Sequence, residues 1–120
     1  MDRGSDQMKA ADPFYKTSRW VHKREMILRR DSYKCQESKR FGKRVEASEV
    51  HHILPREFFP EFQWDSWNLI SLSAAMHNKM HSRSTHGLTD RGYQLAEKIS
   101  IKHGLNFDEL KNKMPPPSFK

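Results

Sequence analysis

The sequence predicts an α+β domain, and three observations carry that reading. Stretches with a 3.6-residue apolar period stand towards both ends, at "SRWVHKREMILRRD" and "DRGYQLAEKISIKH". Between them lie two short extended runs, "VEASEVHHI" (45–53) and "NLISL" (68–72). A single loop joins those runs, so chain reversal through it brings them side by side as a ribbon.

Composition agrees with one small folded domain. Of 120 residues, 35% are hydrophobic and 31% charged, enough apolar content for a modest core. Lys and Arg exceed Asp and Glu by 22 to 15, a net charge of +7 with neutral histidines. That excess favours a polyanionic partner, of which nucleic acid is the commonest. Cys35 is the sole cysteine, which excludes an internal disulfide and any zinc site built on cysteine pairs. No apolar run approaches membrane-spanning length, and a cytoplasmic location is the expectation.

Taken in order, residues 1–13 are polar and aperiodic and are expected as a loose arm. Ser18 is the expected N-cap of the first helix, with Trp20, Val21, Arg24, Ile27 and Leu28 on one face. "SYKCQ" (32–36) reads as a short strand and "ESKRFGKR" as a basic loop. The extended run at 45–53 ends at Pro55, which has no amide hydrogen to give a ladder. The loop "REFFPEFQWDSW" carries five aromatic rings, expected to staple it to the core. After "NLISL", Ser73 caps a helix over "SAAMHNKMHSR". Thr89 caps another, with Tyr93, Ala96, Ile99 and Ile101 supplying apolar contacts. Gly104 stops that helix, Asn106 caps a short last one, and "PPPSFK" reads as a disordered tail.

The histidines carry the chemistry. Four of the seven fall in one window: His51, His52, His77 and His81. His77 and His81 are four residues apart on an expected helix, so both imidazoles leave the same face, a common way to offer two nitrogens to a metal. The adjacent pair sits on a strand, where consecutive side chains point to opposite faces. Only one of them can join the helical pair, which leaves the other beside the site, where a general base is needed.

Together, "EVHHILP", "DSWNLISL" and "AAMHNKMH" resemble the HNH nuclease family, whose core is the ββα-metal (His-Me finger) fold. The spacing of His52, Asn68, His77 and His81 is similar to that of the DNase colicins. The flanking "FYKTSRWVHKREMILRRDSYKC" is more similar to small HNH proteins of phages and prophages. The resemblance spans roughly residues 14–85. It implies a divalent metal ion (Zn, Ni, Mn or Mg) on His51, His77 and His81, with His52 as general base and Asn68 orienting its ring. It also implies hydrolysis of DNA phosphodiester bonds to 5′-phosphate and 3′-hydroxyl ends, in phage DNA packaging or processing beside terminase-type partners. Arg56, Lys79 and Arg83 are the candidate phosphate-holding cations.

Two departures qualify the resemblance. Many members have aspartate where this chain has His51. Phage-type members also carry two CxxC pairs around a structural zinc, where this chain has "CQES" and "SAAM", so apolar packing is expected to replace that metal. The resulting organisation is an arm (1–13), an HNH domain (14–88), a helical extension (89–113) and a tail (114–120). A toxin-type DNase and a non-catalytic, metal-stabilised DNA-binding module stand as alternatives.

Overall fold

The structure, a computed structural model, describes residues 12–119. Of the expected loose arm, residues 1–11 lie outside the described residues. Asp12 instead accepts a hydrogen bond from the Phe14 amide (2.9 Å) and caps a 3-10 turn over Pro13–Lys16.

Helix α1 spans Ser18–Arg30, and its cap is Thr17, one residue before the expected Ser18: the Thr17 hydroxyl accepts from the Trp20 amide at 3.2 Å. Trp20, Ile27 and Leu28 are buried as their spacing requires. Val21 is 54% exposed although it lies on nearly the same side of the helix as the buried Leu28, two turns on, so the cover on that side of α1 does not reach its first turn. The polar end of α1 grips the ribbon. Arg30 donates to the Ser66 and Leu69 carbonyls at 2.9 and 2.7 Å, and Asp31 accepts from the Ser71 amide at 3.1 Å.

The stretch expected as a strand at 32–36 is a turn. Ser32 and Tyr33 both take left-handed backbone (φ 56° and 55°), which reverses the chain directly after α1 and leaves only a single bridge, Lys34 to Glu46. The basic loop after it contains a helical turn, α2 (Gln36–Arg40), ended at Phe41 and Gly42. Five residues are too few for an apolar period to be visible in the sequence.

Strands β1 (Glu49–His52) and β2 (Leu69–Leu72) pair antiparallel, with Glu49 opposite Leu72 and His52 opposite Leu69. Alternation sends Val50, His52, Leu69 and Ser71 towards α1, and Glu49, His51, Ile70 and Leu72 to the other face. A two-stranded ribbon is marginal alone and needs cover on its faces. The first face packs with Trp20, Ile27 and Leu28; the second face joins Ile53, Leu54, Phe59 and Met80. The connecting loop behaves as expected: Phe59 is fully buried, Phe58, Phe62 and Trp67 pack on one cluster, and Trp64 on the other.

Helix α3 is short, Ala74–Asn78, with Ser73 accepting from the Met76 amide at 3.1 Å. It stops before His81, which pairs across a bridge with Leu88. Helix α4 (Asp90–Lys102) is capped by Thr89 and ends at Gly104 (φ +74°), and α5 (Phe107–Leu110) is capped by Asn106. Ala96 is buried on α4 as expected, whereas Ile101 is 63% exposed and Leu95 takes the inward place. Leu95, Ala96 and Phe107 share one cluster with Leu72 and Met80, so the helical extension and the ribbon have a common core.

The expected disordered tail is corrected over most of its length. Met114 is buried, Ser118 donates to the Leu88 carbonyl (3.1 Å), and the Ser118 carbonyl accepts from the Asp90 amide (2.7 Å). These bonds satisfy backbone groups at the start of α4, where a helix has spare amides. No helix among the described residues is long and apolar enough to cross a membrane.

Gly92 is where α4 approaches the chain before the ligand-bearing turn: a Cβ there would meet the Met80 carbonyl oxygen at 2.4 Å. Gly92→Ala should therefore destabilise the protein by about 1–3 kcal/mol, outweighing the roughly 1 kcal/mol helix-propensity gain of alanine. Urea unfolding followed by circular dichroism checks this, and a variant as stable as the parent would contradict the close approach.

Candidate metal centre

Three imidazoles meet on the face of the ribbon turned away from α1. His51 is fully buried at the third position of β1. Its ring centre lies 5.0 Å from that of His77 on α3 and 5.0 Å from that of His81; His77 and His81 are 4.9 Å apart. One nitrogen from each ring falls within 4.8 Å of the others. The 77/81 pairing was expected from a continuous helix, but α3 ends first. The two rings converge because Met80 and Thr89 hold the chain after α3 with a 2.9 Å backbone bond, next to the His81–Leu88 bridge.

The donor set fits a transition-metal ion. The Nε2 atoms of His77 and His81 are 3.1 Å apart. Two nitrogens about 2.1 Å from one tetrahedral ion lie about 3.4 Å from each other, so the spacing is already close to what coordination demands. Glu49 completes the arrangement: its Oε1 is 2.5 Å from His77 Nδ1. A carboxylate there accepts a hydrogen bond from Nδ1–H, which places the proton on Nδ1 and leaves the Nε2 lone pair aimed at the cluster. Glu49 was missed in the sequence, although period-2 alternation places it on the face of His51, two residues back.

His52 takes the opposite face, as strand geometry requires, but it does not point outward: it is buried. Its ring stacks on Trp20 (5.1 Å between centres, 22° between planes), with Phe14 and Tyr15 at 5.9 and 6.2 Å. Nε2 lies 3.1 Å from the Gln63 carbonyl oxygen. A carbonyl only accepts, so Nε2 carries the hydrogen and Nδ1 keeps its lone pair. Nothing in the sequence singled out Gln63, since a backbone carbonyl leaves no residue signature.

Asn68 is fully buried and works on the loop. Its Oδ1 accepts from the Leu54 amide at 2.7 Å, and its Nδ2 donates to the Leu54 and Phe62 carbonyls, both at 3.2 Å. It ties the chain after His52 to the residue preceding Gln63.

The three candidate cations differ. Arg56 is paired with the Asp12 carboxylate and lies over the Phe14 ring (4.1 Å), at the edge of the aromatic group around His52. Burial pushes the neighbouring Tyr15 hydroxyl up, by more than Arg56 pulls it down. Lys79 stands exposed at the end of α3, and Arg83 is exposed in the loop beyond it.

Among solved structures, the chain is similar to the HNH endonuclease of the deep-sea thermophilic bacteriophage GVE2, crystallised with manganese. The two are 33% identical, with a TM-score of 0.55 over 65% of this chain and 88% of that one. The chain belongs to the HNH endonuclease family. No family model and no curated protein sequence matches it.

The HNH fold accounts for the order of elements, with β1, β2 and α3 forming the ββα unit around the three histidines. At one corner this HNH chain carries "CQES" and "SAAM" where the sequence resemblance places CxxC pairs. "CQES" and "SAAM" do meet in space: Cys35 is fully buried, and Ser38 donates to its sulfur at 3.2 Å. Burial pushes the thiol up, but hydrogen bonds from Ser38 and Ser73 together hold it below its ordinary value. Hydrogen bonding therefore joins the apolar packing expected at that corner.

Loss of the carboxylate behind His77 should weaken the centre without dismantling it. Glu49→Ala is expected to lower affinity for zinc or manganese about 10- to 100-fold, as measured by titration calorimetry. Unchanged affinity would remove Glu49 from the site.

Proposed function

We propose that this HNH-family protein is a metal-dependent endonuclease that hydrolyses DNA phosphodiester bonds. One observation carries the reading. Adjacent residues at the end of β1 part to opposite faces, His51 into a three-imidazole cluster and His52 into a separate position where the Gln63 carbonyl and the Trp20 ring hold its imidazole. A purely structural metal site has no use for that second arrangement.

His51, His77 and His81 would hold the divalent ion, which supplies charge stabilisation for the scissile phosphate and the leaving oxygen when bound. Glu49 keeps the His77 ring turned towards the cluster. His52 takes a proton from water at Nδ1 while the Gln63 carbonyl holds Nε2–H, and the Trp20 indole fixes the plane of the ring. Asn68 is a positioning residue that acts through the loop carrying Gln63, in place of the direct contact with His52 that the sequence led us to expect. Arg56 binds substrate phosphate by exchanging it for the Asp12 carboxylate, and Lys79 and Arg83 extend the cationic surface.

Cleavage with little intrinsic sequence preference is part of this reading, since no base-reading motif is recognisable in the sequence. Similarity to a bacteriophage enzyme supports a phage or prophage setting, and the sequence resemblance to small phage HNH proteins suggests work in DNA packaging or processing beside terminase-type proteins in the host cytoplasm. The non-catalytic reading draws on the deep burial of His52, and the experiment separates the two.

Nicking of supercoiled plasmid, assayed across Mg, Mn, Ni and Zn with a chelator control, tests the proposal. His52→Ala should abolish nicking while leaving metal affinity nearly unchanged, since the base is not a ligand. Near-parental cleavage by that variant would remove His52 from the mechanism. An all-imidazole set is also expected to bind zinc or nickel more tightly than magnesium, whose preferred ligands are oxygens. Calorimetry ranking magnesium first would contradict the ligand assignment.

A further inference from the structure

A groove of about 500 Å³ runs between α2, α3 and the start of α4. Its floor is apolar, made by Phe41, Val45, Ala75 and Met76, and its rim carries Lys43, Lys79 and Arg91. A smaller hollow of about 180 Å³ continues from it, sharing Phe41 and Arg91 and adding Arg40 and Lys98. The acidic side chain lining this surface is Glu37, which is buried and accepts from Arg40 at 3.1 and 3.3 Å. No described carboxylate forms an ion pair with Lys43, Lys79, Arg91 or Lys98. At the centre the Phe41 ring is 54% exposed, with the Arg40 and Arg91 guanidinium groups at 4.6 and 5.6 Å.

Cations on a rim above an exposed aromatic and apolar floor suit a polyanion that also has flat apolar faces. An unpaired nucleic-acid strand meets both requirements, through phosphates on the rim and bases against the ring. A duplex would offer the groove its phosphates alone and leave the floor unfilled. The groove also shares α3 with the candidate metal centre, Met76 facing one and His77 the other. That five-residue helix is about 7.5 Å long, the reach of two or three nucleotides.

We propose that this groove binds a single-stranded stretch of DNA, so that the preferred substrate is a duplex cut at the histidine cluster with an unpaired arm laid across Phe41. The substrate preference rests on the nuclease reading above; the strand-binding groove does not.

Binding is measured by fluorescence anisotropy in chelator, with a labelled 15-nucleotide oligo(dT) and a blunt 15-base-pair duplex. Phe41→Ala is expected to weaken oligo(dT) binding about tenfold and leave the blunt duplex unaffected. Phe41 is exposed, so the fold should survive; Arg91→Gln, also exposed, provides a second arm and should lower the salt slope for oligo(dT) by about 0.7. In plasmid-free assays with metal, the parent should nick a tailed duplex faster than a blunt one, and Phe41→Ala should erase that difference while nicking the blunt duplex at the parental rate. Parental oligo(dT) binding by both variants would overturn the groove whatever the nicking shows. Displacement of oligo(dT) by a decaglutamate peptide at lower concentration than by unlabelled oligo(dT) would overturn it in favour of an acidic protein partner. Loss of binding in the variants with no nicking of any DNA would keep the groove and sink the nuclease reading alone.

Discussion

Consecutive residues of a strand cannot share a face, and the arrangement of this protein follows from applying that constraint at His51 and His52. The ribbon is a boundary with different chemistry on its two sides. Towards α3, imidazoles converge to within 4.8 Å and can share an ion. Towards α1, a single imidazole is enclosed by aromatic rings and held by one carbonyl. The two sites are one peptide unit apart in the chain, yet each has its own supporting residues. A one-residue slip in register would exchange the two histidines and destroy both sites. The clamping of the ribbon by Arg30 and Asp31 from α1 guards against that slip.

The loop between the strands is the second dependency. Its sixteen residues, 53–68, have little regular structure, and loops of that length are usually functional or mobile. Here aromatic burial and the Asn68 side chain fix it. Three hydrogen bonds from one buried amide satisfy both the amide and two loop segments, and an apolar replacement would leave the Leu54 amide unpaired at a cost of about 1–3 kcal/mol. The loop in turn fixes Gln63, whose carbonyl sets the tautomer of His52. Order therefore passes from a buried asparagine to a catalytic candidate without direct contact being required.

The corner around Cys35 shows what packs where the sequence resemblance places a pair of cysteine motifs. Ser38 and Ser73 supply hydrogen bonds to the thiol where the sequence resemblance places further cysteines. Each such bond is weak beside a metal–thiolate bond, and the common core of ribbon and C-terminal helices carries the rest. Leu72, Met80, Leu95, Ala96 and Phe107 form one cluster, so α4 brace the turn that carries His81 as well as extending the chain.

The sequence by itself determined the α+β class, the two strands, the capping of α3, α4 and α5, and the identity of the four clustered histidines. These are written in period-2 and period-3.6 patterns and in local capping chemistry, which act over a few residues. Only the tertiary structure decided that α3 ends before His81, that 32–36 is a turn, that 36–40 is helical and that 114–118 packs on α4. It alone brought Glu49 to His77, the Gln63 carbonyl and Trp20 to His52, and Asp12 to Arg56. Backbone carbonyls and long-range partners leave no periodic trace in a sequence. Their positions are fixed by how separate elements pack, and that is settled by the burial of a whole core at once.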